Sequence, residues 1–189
     1  MCLIECRNLC KSFDDNIVLR NINLKIGKGK IIGLLGKNGQ GKTTLLKLIN
    51  DLLTPTSGEI LINGKKPGIE SKKIISYLPE RTYLDKEMRV SEVLKFFVEF
   101  YDNFNFQKAL QLLKTLDLDV NQRLAKMSKG MQEKVQLILV MSRDADIYLL
   151  DEPLGGVDPA TRDYILDTIL SKMLWIELSR SLFLGQHII

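Results

Sequence analysis

The sequence predicts an α/β fold built on a parallel sheet, with an antiparallel β lobe and a helical insertion subdomain. Three observations carry that prediction. A glycine-rich stretch, Gly36-Lys37-Asn38-Gly39-Gln40-Gly41-Lys42-Thr43, stands between the apolar run Ile31-Ile32, Leu34-Leu35 and a helix-like segment. Two further apolar runs, Ile74 to Leu78 and Ile147 to Leu150, have the length and continuous hydrophobicity of strands buried on both faces of a parallel sheet. Short segments nearer the N-terminus, one of them closed by a two-residue turn signal, read instead as antiparallel strands.

Taken in order, Leu3 to Arg7, Asn21 to Ile26 and Glu59 to Ile62 are the strands of the β lobe, and Asn63-Gly64 is the hairpin signal after the third. From Thr43 to Leu53 the positions Leu45, Leu46, Leu48, Ile49, Leu52 and Leu53 suit a helix buried on a wide face and ended by Thr54-Pro55-Thr56-Ser57-Gly58. Between the two parallel-sheet runs, Ser91 to Tyr101 and Phe106 to Leu116 read as helices, with Ser91 a candidate N-cap. A further helix runs from about Gly130 through Gln136 to Met141. The chain is thus expected to form one domain, 1–189, in which 1–79 and 141–189 make the core with its β lobe and 80–140 the helical subdomain. No internal repeat, low-complexity stretch or disordered linker interrupts it.

Composition narrows the class. Of 189 residues 45% are hydrophobic and 26% charged, an ordinary globular balance. No apolar stretch approaches the roughly 20 residues that cross a bilayer, and Glu5 and Arg7 interrupt the N-terminal segment where a signal peptide needs a long apolar run. A cytoplasmic protein is therefore expected. Cys2, Cys6 and Cys10 are odd in number and clustered without a second set of ligands, which favours reduced thiols over a zinc site. The net charge of +4, from 27 basic and 23 acidic residues, is spread without a basic block and argues only weakly for an anionic partner such as nucleic acid or a membrane face; no nucleic-acid partner is expected.

The glycine-rich stretch fits G-x-x-x-x-G-K-[ST]. Its glycines let the backbone turn tightly enough for N–H groups to converge on a polyphosphate, and the following helix adds its positive end at the same place. Lys42 can reach the β- and γ-phosphates, and the Thr43 hydroxyl can ligate Mg²⁺. A glycine-rich strand-to-helix turn without a ligand is the alternative, but four fixed positions match by chance only about once in a hundred chains of this length. A second signal is Asp151-Glu152, two carboxylates delivered at the end of the run Ile147-Tyr148-Leu149-Leu150, where open α/β sheets bind ligands. In nucleotide enzymes of this type one such acid helps to hold Mg²⁺, and the second can orient or deprotonate the attacking water.

With these residues in place the chain resembles the ATP-binding-cassette ATPases, the nucleotide-binding subunits of ABC transporters, over nearly its whole length. The order of motifs makes the resemblance specific. Phe13 lies where the family stacks adenine; the Walker A loop Gly36 to Thr43 follows, continued by Thr44. Ser76-Tyr77-Leu78-Pro79-Glu80 stands at the Q-loop position and Met127-Ser128-Lys129-Gly130-Met131-Gln132 at the signature position. Asp151-Glu152-Pro153 ends the Walker B strand, and Gly155-Gly156-Val157-Asp158-Pro159 resembles the D-loop. The resemblance implies a P-loop ATPase core that uses ATP and Mg²⁺. It implies nucleotide contacts from Phe13, Gly36, Lys37, Asn38, Gly39, Gln40, Gly41, Lys42, Thr43, Thr44, Ser128, Gly130 and Asp158. Metal contacts would come from Thr43, Asp151 and Glu80, and catalysis from Glu152 and His187.

It also implies partners. In the family two cassettes stack head to tail, so that Ser128 and the backbone at Gly130 would reach the γ-phosphate on a second ATPase domain. An integral-membrane permease would hold the pair at the inner face of the cell membrane. The aromatic cluster Phe96, Phe97, Phe100, Tyr101, Phe104 and Phe106 lies in the part of the family that docks onto the permease, although helical spacing also suits most of these rings to the subdomain's own core. Bacterial exporter-type members look most similar around Phe100-Tyr101-Asp102-Asn103-Phe104.

The chain departs from the family's pattern at three places. Lys129 replaces a signature glycine, Glu80 stands where the family has glutamine, and the C-terminal part reads as truncated or atypical. A carboxylate at 80 adds charge and loses amide donors, which would alter metal dependence or turnover unless Arg81 pairs with it. His187, the only histidine, follows Leu182-Phe183-Leu184-Gly185-Gln186 in place of the small hydroxyl residue and threonine usual before the family's switch histidine. A frame-shifted ending after about Ser171 would account for that. Two other functions fit the same motifs: a soluble ABC-type ATPase acting on ribosomes or DNA, and a truncated cassette that binds ATP without turnover.

Overall fold

The computed structural model describes residues 2–30 and 32–151, which fall into two compact units divided between Lys72 and Lys73. In the first, β1 (Cys2–Phe13) is the middle strand of an antiparallel sheet ordered β2-β1-β3, with β2 (Asn16–Gly27) and β3 (Ser57–Ile62) at its sides. The expected lobe is present, and β1 and β2 are longer than the sequence suggested. Alternation fails as a guide here because β1 and β2 slip register between Cys6 and Leu9 and again before Lys11, with Asn8 and Asn21 at φ 46 and 51. Such bulges swap the face that each following residue presents.

Leu3, Ile4, Cys6, Leu9, Leu19, Ile60 and Ile62 are buried on the sheet, and Leu45, Leu46, Leu48 and Ile49 are buried on helix α1 (Lys42–Ile49), which packs against β2 and β3. The helix ends four residues short of the expected Leu53. Asp51 takes φ 56, and the N–H groups of Asp51 and Leu52 bond the carbonyls of Leu48 and Lys47 at 3.2 and 2.8 Å. This is a Schellman ending, and it leaves Leu52 exposed. Asn63-Gly64 forms the expected tight turn: Ile62 and Lys65 exchange backbone hydrogen bonds at 2.7 and 3.0 Å, and both turn residues have positive φ, 49 and 77.

In the second unit β4 (Ile75–Leu78) pairs in parallel with β5 (Ile147–Leu150), in unbroken register from Ile75 opposite Ile147 to Leu78 opposite Leu150. A short helix, α2 (Ile69–Ile74), leads into β4. Helices α3 (Val90–Phe100), α4 (Phe106–Thr115) and α5 (Lys129–Met141) follow, with one 3₁₀ turn at Leu124–Lys126. Their core is a single cluster around Leu78, Val90, Leu94, Leu113, Leu124 and Leu139.

Ser91 does not cap α3. The helix begins earlier, at Val90, because the Val90 and Ser91 N–H groups bond the carbonyls of Gln122 and Val120 at 3.1 and 2.8 Å, and the Glu92 carboxylate accepts from the Arg89 N–H at 2.6 Å. With the first-turn donors so served, a hydroxyl cap has nothing to add. Asn105 and Ser128 do cap α4 and α5, accepting from the Lys108 and Met131 N–H groups at 2.9 and 3.3 Å.

Candidate functional site

The glycine-rich loop leads directly into α1. Gly41 is the N-cap residue, at φ 86 and ψ 7, and the first intrahelical bond runs from the Leu45 N–H to the Gly41 carbonyl at 2.9 Å. The N–H groups of Lys42, Thr43 and Thr44 therefore lie ahead of that bond, at the positive end of a helix whose first turn carries no acidic residue. That end suits an anion.

Packing dictates the glycine at 41 as well as its φ does. A Cβ there would meet Leu19 Cδ2 at 2.8 Å and Val18 Cγ1 at 3.0 Å, so β2 lies flush against the start of α1. Gly39, at φ 84, is the third residue of a turn closed by the Gln40 N–H on the Lys37 carbonyl at 3.3 Å. The Lys42 ammonium donates to the carbonyls of Gly36 at 2.8 Å and Lys37 at 3.0 Å, and Gln40 Oε1 accepts from the Lys37 N–H at 2.8 Å. The described part of the apolar run before the loop, residues 32–35, joins no strand among the described residues. Ile32 and Leu35 there are exposed.

Phe13 ends β1 opposite Asn16, at a hairpin whose second strand carries Val18 and Leu19 to the loop. Its ring is 43% exposed, so a flat ligand can reach it, and Lys11 Nζ lies 4.8 Å from its centroid. The lysine is itself anchored on the Thr54 carbonyl at 2.9 Å.

In the second unit, β5 delivers Asp151 to its C-terminal end, buried, with its N–H on the Leu78 carbonyl at 2.9 Å. Burial, together with the nearby Asp151 and Glu80 carboxylates, pushes the Tyr77 hydroxyl up to about 12. Glu80 itself is exposed, two residues beyond β4. Ser128 serves α5 as its cap, with Gly130 in the first turn; Lys129 is exposed and pairs with Glu133 at 3.5 Å. Gln132 Nε2 closes the turn before it, on the carbonyls of Leu124 and Met127. Glu152, Asp158 and His187, and the reading of the C-terminal part, lie outside the described residues.

Of the six rings in the aromatic cluster, Phe97, Tyr101, Phe104 and Phe106 join the core or pack against it. Phe96 and Phe100 are exposed and stack on each other at 4.6 Å.

Two polar residues near this region escaped the sequence reading. Gln136, 2% exposed in the apolar run from Val135 to Met141, donates from Nε2 to the Pro79 carbonyl at 3.3 Å, just ahead of Glu80. A lone amide among apolar helix positions is the signal that could have marked it. Arg143 is buried at the start of β4, where it donates to the carbonyls of Ile75 and Lys73 at 2.7 and 2.9 Å and to Asn103 Oδ1 at 3.0 Å, and lies over the Tyr101 ring.

A family model described as ABC transporter matches residues 19–155. The ABC transporter ATP-binding protein YtrB of Bacillus subtilis is 31% identical over 98% of this chain and 63% of its own length. The SkfA peptide export ATP-binding protein SkfE of the same organism is 30% identical over 91% of this chain and 74% of its own. This chain thus spans less than two thirds of the length of the first of these relatives. Among solved structures, an ATP-binding subunit of an ABC transporter superposes with a TM-score of 0.83 at 28% identity, covering 92% of this chain and 75% of that one. A dimeric ABC transporter cassette shares the fold, with a TM-score of 0.80 over 92% of this chain and 84% of its own at 23% identity.

Proposed function

The chain belongs to the ABC transporter ATP-binding family, and from that premise we propose that it binds and hydrolyses ATP to power a separate membrane permease. One observation above all supports this: the loop 36–43 folds into the left-handed entry to α1 with Lys42 turned back onto its carbonyls. ATP would lie with its phosphates at the N–H groups of Lys42, Thr43 and Thr44, and with its base on Phe13. Lys42 then exchanges backbone carbonyls for phosphate oxygens. Gly36, Lys37, Asn38, Gly39, Gln40 and Gly41 supply the shape of the cradle.

Oxygen donors suit Mg²⁺, and the hydroxyl of Thr43 with the carboxylate of Asp151 are the residues assigned to it, with Glu80 as a further candidate. Bound there, the cation would neutralise charge on the β- and γ-phosphates. Glu152 is assigned to hold the attacking water and accept its proton, with His187 as a second candidate at the γ-phosphate.

Ser128, Gly130 and Asp158 would act across a head-to-tail dimer, on nucleotide held by a second cassette. No described helix is long and apolar enough to cross a membrane, so transport needs partner chains. The exposed Phe96–Phe100 pair is the surface assigned to the permease. The domain reading, 1–79 and 141–189 as core with 80–140 helical, and a place at the inner face of the cell membrane belong to the same proposal.

Two substitutions test it. Lys42→Ala removes charge-assisted hydrogen bonds worth roughly 1.5–3 kcal/mol, so ATP affinity falls about ten- to a hundredfold or more in a titration. Glu152→Gln leaves affinity intact and slows phosphate release about 10²–10⁴-fold. Equal losses of affinity in both variants would refute the division of labour.

A further inference from the structure

The phosphate loop contains a device that the motif does not specify. Among the described residues every peptide is trans, so the carbonyl of Gly36 and the N–H of Lys37, which share one peptide plane, point in opposite directions. Lys42 Nζ holds the carbonyl at 2.8 Å and Gln40 Oε1 holds the N–H at 2.8 Å. One peptide is therefore gripped from both sides. Gln40 binds Lys37 twice, because its own N–H also donates to the Lys37 carbonyl, and that carbonyl is the second acceptor for the Lys42 ammonium at 3.0 Å.

The fit is close. A Cβ on Gly36 would stand 2.6 Å from Gln40 Oε1, so the space that a side chain at 36 would fill is taken by the glutamine's carboxamide. Residues 36–40, Gln40 among them, are exposed and Lys42 is half-buried, so among the described residues the 36–37 peptide is fixed by these hydrogen bonds rather than by burial.

We infer that Gln40 is a positioning residue for Lys42: its side chain braces the 36–37 peptide, holding the ammonium where an incoming polyphosphate meets it. A loop already set in shape loses less conformational freedom on binding, and that difference appears as affinity. This role rests on the nucleotide reading of the loop. It gives the variable fifth position of the motif a task for which alanine has no acceptor and methionine only a weakly accepting thioether.

The test is a double-mutant cycle on the full chain, with Mg-ATP affinity read from a fluorescent analogue and confirmed by competition with unlabelled ATP. Gln40→Met keeps the length of the side chain and exchanges the amide oxygen for a weakly accepting thioether. It is expected to weaken binding about three- to tenfold, the worth of one neutral hydrogen bond. In a Lys42→Met background the same change is expected to cost less than about twofold, because no ammonium remains to be positioned. Amide exchange at Lys37 in the nucleotide-free chain should accelerate in Gln40→Met while the melting temperature holds, which separates loosening of the loop from unfolding. Unchanged or tighter binding by Gln40→Met, or the same loss in both backgrounds, overturns the brace. A wild-type chain that binds no nucleotide overturns the nucleotide reading and the affinity role with it, whereas binding indifferent to Gln40 overturns the brace alone.

Discussion

Gly39 and Gly41 offer a controlled comparison, because both have positive φ, 84 and 86, yet only one is crowded. An alanine at 39 would find nothing within 4 Å of its Cβ. Its cost is the left-handed backbone alone, about 1–2 kcal/mol for a residue with a Cβ. At 41 the same backbone term applies, and the new methyl would also stand 2.8 Å from Leu19 Cδ2, 3.0 Å from Val18 Cγ1 and 3.1 Å from the Val18 carbonyl oxygen. Leu19 is a buried residue of β2, and the carbonyl oxygen is backbone, so neither yields cheaply. Overpacking of this kind typically costs about 1–3 kcal/mol.

Gly41→Ala should therefore lose about 2–5 kcal/mol against about 1–2 for Gly39→Ala. Urea unfolding of the two variants and the wild type measures the difference, and ATP titration shows how much of it reaches the loop. If strain at 41 is relieved by shifting α1 away from β2, affinity falls about thirtyfold for each roughly 2 kcal/mol so spent. A Gly39→Ala variant as unstable as Gly41→Ala, or more so, would refute the assignment of the excess to β2.

Three further outcomes follow from side chains already described. Arg143→Met removes the donors from the Lys73 and Ile75 carbonyls and from Asn103, and should destabilise the protein by about 3–5 kcal/mol in the same unfolding assay. Gln136→Met should cost less than about 1 kcal/mol or even stabilise, because the Gln136 Oε1 atom is buried with no hydrogen bond among the described residues to offset its desolvation; a loss above about 2 kcal/mol would show that the bond to Pro79 outweighs that penalty. Glu5 is held down at about 2 by hydrogen bonds from Arg7 and Lys25, so its contribution is fully present above the usual carboxylate value of 4.5 and is lost as pH falls toward 2; the Glu5→Gln variant should lack that part of the acid-unfolding curve.

The legible parts of this chain are those where one local rule suffices. β5 and the Asn63-Gly64 turn lie where their sequence places them, since a continuous apolar run and an Asn-Gly pair admit few alternatives. Asp151 and the loop of Lys42 are visible for the same reason, as each is a short pattern whose chemistry depends on neighbours in sequence. What was hidden depends on distant partners. The true start of α3 is set by carbonyls of residues 120–122, about thirty residues away. Residues 32–35 join no ladder among the described residues, and the extent of β1 reflects bulges that scramble its alternation. Arg143 and Gln136 look like ordinary helix-end and helix-interior polar residues until the backbone carbonyls they serve are known.

The consecutive carbonyls of Leu78 and Pro79 are taken by two different elements, the first by the N–H of Asp151 and the second by the side chain of Gln136. Mechanically this is a fulcrum. The chain before Pro79 is fastened to β5 and to α5, so a displacement of Glu80 cannot draw β4 along its own axis. The ring fixes φ at Pro79 and the Gln136 bond holds the 79–80 peptide, so the freedom that remains lies in the torsions of Glu80 itself. A rotation there moves the exposed Glu80 carboxylate without breaking the bond between Leu78 and Asp151 that ties the ends of the two strands together.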